Sequence, residues 1–183
     1  MELSKADHVL DQLDKLDIMC ENEGVHAELI IIGGSGLLLL LEMIFKQDFR
    51  PTRDVDVQIL SANDMNELYR LLKEANIHIV GGVAEFPPIE DFREKEKYKV
   101  EAQFTNIEVY VPTPELLACT KIFSKRPKDL TDLQRSQLLD FCDLDILRDL
   151  IEDYKSYMLN PNDRDINVHQ IEEILKQRAS QLY

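Results

Sequence analysis

The sequence predicts an α/β (α+β) protein: a small mixed β-sheet with flanking helices, followed by a C-terminal helical layer. Three observations carry that expectation. The apolar run Ala27-Glu28-Leu29-Ile30-Ile31-Ile32 is β-branched and stops at Gly33-Gly34, as a buried strand does. Asp54-Val55-Asp56-Val57-Gln58-Ile59 alternates polar with apolar residues at period two, as a strand with one apolar face does. From Pro114 onward every segment has helical spacing.

Taken in order, Ser4 to about Glu21 predicts an amphipathic helix. Ser4 is placed to cap it, and Val9, Leu10, Leu13, Leu16 and Met19 recur at helical spacing. The strand Ala27–Ile32 follows, and then Gly36–Lys46, apolar nearly all round, predicts a helix inside the core. Arg53–Leu60 is the second strand. Asn63–Ala75 predicts a helix capped by Asn63, with Met65, Leu68, Leu71 and Leu72 on its apolar stripe. Ile77–Val80 predicts a short strand ended by Gly81-Gly82. The polar, Pro-containing stretch from Glu85 to Lys97 predicts an exposed loop. Tyr98–Phe104 and Ile107–Val111, joined at Thr105-Asn106, predict a hairpin. Helices are then expected over Pro114–Ser124, Leu130–Phe141, Asp145–Tyr157 and Asn167–Leu182.

Composition narrows the function classes. The chain of 183 residues is 44% hydrophobic and 31% charged, ordinary for one soluble domain or a core with an appendage. The longest apolar run, Leu37–Leu41, is far shorter than the roughly 20 residues of a membrane span. Neither a membrane association nor a secretory leader is expected. The three cysteines, Cys20, Cys119 and Cys142, have neither metal-knuckle spacing nor an even count for disulfides, which fits buried thiols in a reducing cytoplasm. A net charge of −14, from 35 acidic and 21 basic side chains, argues against general DNA binding. One RNA end or a nucleoside triphosphate at a local basic rim remains compatible with it. His8, His26, His78 and His169 are scattered without metal-ligand spacing and are expected to be structural or exposed.

Two short patterns carry chemistry. At Gly33-Gly34-Ser35 a strand hands over to a helix. Glycine lets backbone approach a ligand there, and unpaired N–H groups at the helix start suit a phosphate. Ser35 is expected at the N-cap, with its hydroxyl available to a backbone N–H or a phosphate oxygen. The sequence lacks both the G-x-G-x-x-G of dinucleotide folds and the Gly-Lys-Ser/Thr of a Walker loop. Asp54 and Asp56, two apart on a strand, share a face with Cα atoms roughly 6.7 Å apart. Two carboxylates so placed repel unless a cation lies between them, and Mg²⁺ takes such ligands together with phosphate oxygens. Arg50 and Thr52 fall on the same side if the segment is extended.

Together, Ile32-Gly33-Gly34-Ser35 and Arg50-Pro51-Thr52-Arg53-Asp54-Val55-Asp56-Val57 resemble the signature of the DNA polymerase β-like nucleotidyltransferase superfamily. In that family the Gly-Ser turn holds a triphosphate, the D-x-D strand binds two divalent metals, and a third carboxylate comes from a later strand. The Ser35-to-Asp54 gap and the Arg-x-Thr-x-Asp-x-Asp pattern are closest to the branch of AbiEii-type toxins from bacterial toxin–antitoxin systems. Lys121 and Lys128-Asp129-Leu130-Thr131-Asp132-Leu133 resemble that branch's Lys followed by Lys-Asp-x-x-Asp-Leu. The likeness spans roughly residues 28 to 135.

The resemblance implies a nucleotidyltransferase-like core over 1–113, with a helical region over 114–183 packed on it. It implies metal-dependent transfer of a nucleoside monophosphate from an NTP to a hydroxyl acceptor, an RNA such as tRNA or a protein, with an antitoxin as partner. Mg²⁺ or Mn²⁺ would sit on Asp54, Asp56 and a third carboxylate. Glu108 is the first choice, because Ile107, Val109 and Val111 can face the core opposite it; Glu101 is the reserve. Gly33, Gly34, Ser35, Arg50, Lys121 and Lys128 would contact the nucleotide. If neither glutamate reaches the pair, the alternative is an inactive module of the same fold that binds a nucleotide or a partner protein.

Overall fold

The computed structural model describes residues 5–80 and 86–181. The cap expected from Ser4, the glycines 81 and 82, Glu85 and Leu182 lie outside the described residues. The chain divides into two compact units, Met1–Gly82 with Ile89–Thr113, and Val83–Pro88 with Pro114–Tyr183.

The first unit is built on the expected mixed sheet, five strands in the order β3-β2-β1-β5-β4. Helix α1 (Lys5–Glu23) buries Val9, Leu13, Leu16 and Cys20, one side chain per turn. Strand β1 (Ala27–Ile32) is the central strand and has almost no exposed side chain. Helix α2 (Gly33–Leu39) follows with no intervening loop and continues through a π-helical turn, Leu40–Ile44. Every residue from Ser35 to Leu41 is buried, which explains a run apolar on all sides. Strand β2 (Val55–Ala62) runs antiparallel to β1, pairing Ile32 with Asp56 and Ile30 with Gln58. It starts two residues later than the sequence predicts, so Asp54 precedes the strand.

Helix α3 (Met65–Glu74) then returns the chain to β3 (Ile77–Ile79), parallel to β2. The helix is capped by Asp64, whose carboxylate accepts from the N–H of Glu67 at 3.1 Å, not by Asn63. Asn63 has a different task. Its carbonyl oxygen accepts from the His26 N–H at 2.8 Å and its amide donates to the Gly24 carbonyl at 3.0 Å, tying together the loops at this end of the sheet.

The expected exposed loop contains a short helix, α4 (Ile89–Glu94), because Phe92 is buried and anchors it. Strands β4 (Lys97–Lys99) and β5 (Ile107–Pro112) are antiparallel, as a hairpin requires, but residues 100–106 form a long connection. The reason is Asp17 on α1, a buried carboxylate that accepts from the N–H groups of Thr105, Asn106 and Ile107 at 3.0, 2.8 and 3.0 Å. Those N–H groups satisfy the acid, so Thr105-Asn106 is held on α1 and leads into β5 beside β1 instead of closing a tight turn.

The second unit is helical, as expected: α5 (Pro114–Ile122), α6 (Pro127–Arg135), α7 (Leu144–Lys155) and α8 (Ile171–Ser180). The single helix predicted over Leu130–Phe141 is broken at Ser136 into α6 and a 3₁₀ turn, Leu138–Phe141. Arg178 stabilises the break, donating to the Leu133 and Gln134 carbonyls that the helix end leaves open. Phe86, Phe123 and Tyr154 form an aromatic cluster with ring centroids 5.7–5.8 Å apart.

Two thiols make the fold sensitive to alkali. Burial pushes Cys20 up to about 11, with the Asp17 charge adding to it, and burial raises Cys142 as well. The native chain therefore keeps protons that the unfolded chain releases once pH passes about 9. Stability contributed by this difference is complete below that pH and falls as pH climbs toward 11. Urea unfolding midpoints should decline over this window, and Cys20→Ala should make the decline shallower.

Candidate functional site

The site is organised by contact between the glycine bend and the chain entering β2. Gly33 has φ +66°, a conformation that L-residues with side chains rarely adopt. A Cβ there would lie 2.7 Å from Oδ2 of Asp56, so the Asp56 carboxylate rests directly on the Gly33 backbone. A Cβ on Gly34 would lie 3.1 Å from Thr52 Cγ2 and 3.8 Å from both terminal nitrogens of Arg50. Both glycines are thus explained by close approach of the same segment. Arg50 is further oriented by the Phe49 ring, its guanidinium carbon 4.9 Å from the centroid.

Ser35 fastens the two halves together. Helix α2 starts at Gly33, so Ser35 lies inside its first turn and is not the N-cap. Its hydroxyl donates to the Ile32 carbonyl and accepts from the Asp56 N–H, each at 3.1 Å. The residue is fully buried. Of the two partners expected for this hydroxyl, a backbone N–H or a phosphate oxygen, it takes a backbone N–H, which makes it the clamp between bend and strand.

One polar atom beside the bend stands out. Thr52 Oγ1 is buried without a hydrogen-bond partner. Buried hydroxyls are nearly always paired, and an orphan next to a bend that carries a guanidinium fits an anionic or metal-bound ligand. Asp54 is exposed at the entry to β2. The cradle formed by Gly33 and Gly34, the Asp56 carboxylate and the orphan hydroxyl fit a divalent cation carried in with phosphates. Such an ion needs only one or two protein carboxylates. Among the described residues no three His, Cys, Asp or Glu side chains group to hold a metal alone.

The structure brings Gly33, Gly34, Ser35, Arg50, Thr52 and Asp56 together, with Asp54 exposed at the entry to β2; Glu108 and Glu101 lie farther along the sheet. Glu108 shares the Asp56 face of the sheet, but β1 pairs Glu28 with Glu108 and Ile32 with Asp56. The two acids are therefore separated by four residues along β1, roughly 13 Å, besides the lateral spacing. Continuing the β5 register puts Pro112 on the Asp56 row. Glu101 falls opposite Glu108, one step beyond the Val100-to-Val109 hydrogen bond. Glu108 instead accepts from Tyr110 Oη at 3.1 Å, pairs with Lys99 at 3.5 Å and lines a cleft of about 540 Å³ with Glu28 and His26. Burial, and then the charges of Glu108 and Glu28, raise the Tyr110 phenol.

Lys121 belongs to the second unit and is also not a free cation. Its side chain is 1% exposed, and its ammonium contacts Asp132 at 3.0 Å and Asp129 at 3.3 Å. Ser124 donates to Asp129 at 2.6 Å, and Asn167 donates to the Lys121 carbonyl at 3.1 Å. The motif Lys121…Asp129-x-x-Asp132 is thus an interior ion cluster within its own unit. Lys128 is exposed on α6.

A family model described as nucleotidyltransferase of unknown function (DUF6036) matches residues 6–178. The chain belongs to that family. Neither the curated proteins nor the solved structures contain a match. No helix among the described residues is long and apolar enough to cross a membrane.

His78, expected to be structural or exposed, is exposed on β3. The β2–β3 register pairs Asp56 with His78, so both side chains project from the same face of adjacent strands. Only the parallel return through α3 puts residue 78 there, and no local spacing announces it.

Proposed function

We propose that the protein is a metal-dependent nucleotidyltransferase that moves a nucleoside monophosphate from an NTP to a hydroxyl acceptor on RNA, such as tRNA, or on a protein. The observation that carries this reading is the contact of Asp56 with Gly33 and of Arg50 and Thr52 with Gly34. Gly33 and Gly34 offer backbone to the phosphates, and Arg50 offers a guanidinium that stays charged. Asp54 and Asp56 would hold Mg²⁺ or Mn²⁺, which supplies charge neutralisation at the phosphorus and a more acidic attacking hydroxyl. The chain's own residues position the triphosphate and exclude water on the bend side, and the buried Ser35 keeps the Asp56 backbone fixed. Membership in a nucleotidyltransferase family supports the substrate class. The AbiEii-like Arg-x-Thr-x-Asp-x-Asp pattern supports a toxin–antitoxin setting with an antitoxin as partner.

A second reading rests on a specific observation. With Glu108 lengthwise distant from Asp56 and Pro112 on its row, a third carboxylate from β5 is lacking. This favours a module that binds nucleotide or a partner protein without transferring anything. Incubation with labelled NTPs, Mg²⁺ and total RNA separates the two. Label transfer abolished by Asp54→Asn and by Asp56→Asn is the expected result. Nucleotide binding without transfer supports the module, and no nucleotide binding in the wild type sinks both nucleotide readings.

A further inference from the structure

Resting on the transfer proposed above, we infer that Gln58 positions the acceptor, and that the acceptor is a ribose cis-diol at an RNA 3′ end. Gln58 is 9% exposed, and its Oε1 is buried without a hydrogen-bond partner. Its setting has no use for an amide: Ile30, paired with it on β1, and Val57 and Ile59 on either side are all buried. An apolar side chain would fit there without leaving a carbonyl unpaired, which is costly out of water. Gln58 stands two residues beyond Asp56 on β2, so both side chains leave the same face, with Cα atoms roughly 6.7 Å apart. The irregularity in the β1–β2 pairing falls at Glu28 and Leu29, beyond both of them.

The direction along β2 decides what Gln58 meets. Asp56 pairs with Ile32 and its carboxylate rests on Gly33, whereas Gln58 pairs with Ile30, on the side of Asp56 away from the bend. With the triphosphate on the bend, pyrophosphate departs toward the glycines. Attacking and leaving oxygens lie roughly in line, so the acceptor hydroxyl arrives from the Gln58 side. Its oxygen bonds the α-phosphorus as the bond to pyrophosphate breaks, and its proton passes to solvent. Gln58 accepts from a second donor next to the attacking oxygen. The carboxamide makes no hydrogen bond among the described residues and its last torsion is soft, so Oε1 can turn to meet that donor. A ribose 3′ end carries such a pair of neighbouring hydroxyls, whereas a serine, threonine or tyrosine side chain carries one alone.

The test is label transfer from NTPs, by the full chain and by Gln58→Met, to total RNA whose 3′-terminal sugar is ribose, 2′-deoxyribose or 3′-deoxyribose. One deoxy end should accept nothing, which identifies the attacking oxygen. The wild type should use the other about tenfold less efficiently than the diol, and Gln58→Met should use it as well as it uses the diol. Gln58→Met should bind nucleotide as the wild type does and keep or raise the urea midpoint, because an unpaired carbonyl leaves the interior. A variant that transfers to the diol at the wild-type rate, one that separates diol from deoxy end as the wild type does, or one whose midpoint falls overturns the role of Gln58. Wild-type label on protein and not on RNA, or nucleotide binding without transfer, also overturns it and leaves the nucleotide site standing. No nucleotide binding by the wild type removes the proposed function, and this inference with it.

Discussion

Gly33→Ala is expected to abolish nucleotide transfer, and the same change at Gly24 is expected to leave it intact. The two glycines form a matched pair. Both have φ +66°, so both substitutions incur the left-handed backbone cost, about 1–2 kcal/mol. They differ in surroundings: a Cβ at Gly24 meets nothing within 4 Å, whereas at Gly33 it would stand 2.7 Å from the Asp56 carboxylate. Gly33→Ala must therefore push Asp56 aside, adding roughly 1–3 kcal/mol of overpacking. The displaced carboxylate is the one proposed to hold the cation. A shift on the order of 1 Å at such a group costs about 100-fold in rate. Urea midpoints and label transfer, measured on both variants, separate the backbone effect from the clash. Equal midpoints for Gly24→Ala and Gly33→Ala, with transfer retained in both, would refute the close contact between bend and strand.

What the sequence made legible follows from the kind of signal each feature leaves. Period two over residues 54–59 and the β-branched run ending at Gly33 name the strands and the bend, because alternation and glycine act locally. The same parity put Arg50, Thr52, Asp54 and Asp56 on one side; the bend gathers Arg50, Thr52 and Asp56, while Asp54 precedes the strand and is exposed. Parity fixes a face, however, and says nothing of position along a strand. Glu108 is on the Asp56 face yet four residues away along β1, because Asp17, distant in sequence, captures the N–H groups of Thr105 to Ile107 and sets where β5 begins. The pairing of His78 with Asp56 was hidden for the same reason: a parallel register is set by a whole helix return. Phe92 shows a third limit, since one buried aromatic can turn a polar stretch into a helix.

Lys121→Met is expected to destabilise the second unit by about 3–5 kcal/mol, one of the largest effects available in this chain. Lys121, Asp129 and Asp132 are all buried, and the lysine is within 3.3 Å of both acids. Removing it leaves two carboxylates facing each other out of water. Their repulsion and lost solvation dominate, not the loss of attraction itself. Adding Asp129→Asn and Asp132→Asn should then restore most of the midpoint, because neutral amides do not need the missing cation and Ser124 still has an acceptor at position 129. Resemblance suggested a different role, a lysine touching the triphosphate. That role predicts weaker nucleotide binding in Lys121→Met at an unchanged midpoint, with no recovery from the amides. Chemical unfolding of the single and triple variants, read beside nucleotide titration, decides between them. The interior geometry favours the stability loss, since an ammonium 1% exposed and shared by two carboxylates has little charge left to offer a phosphate.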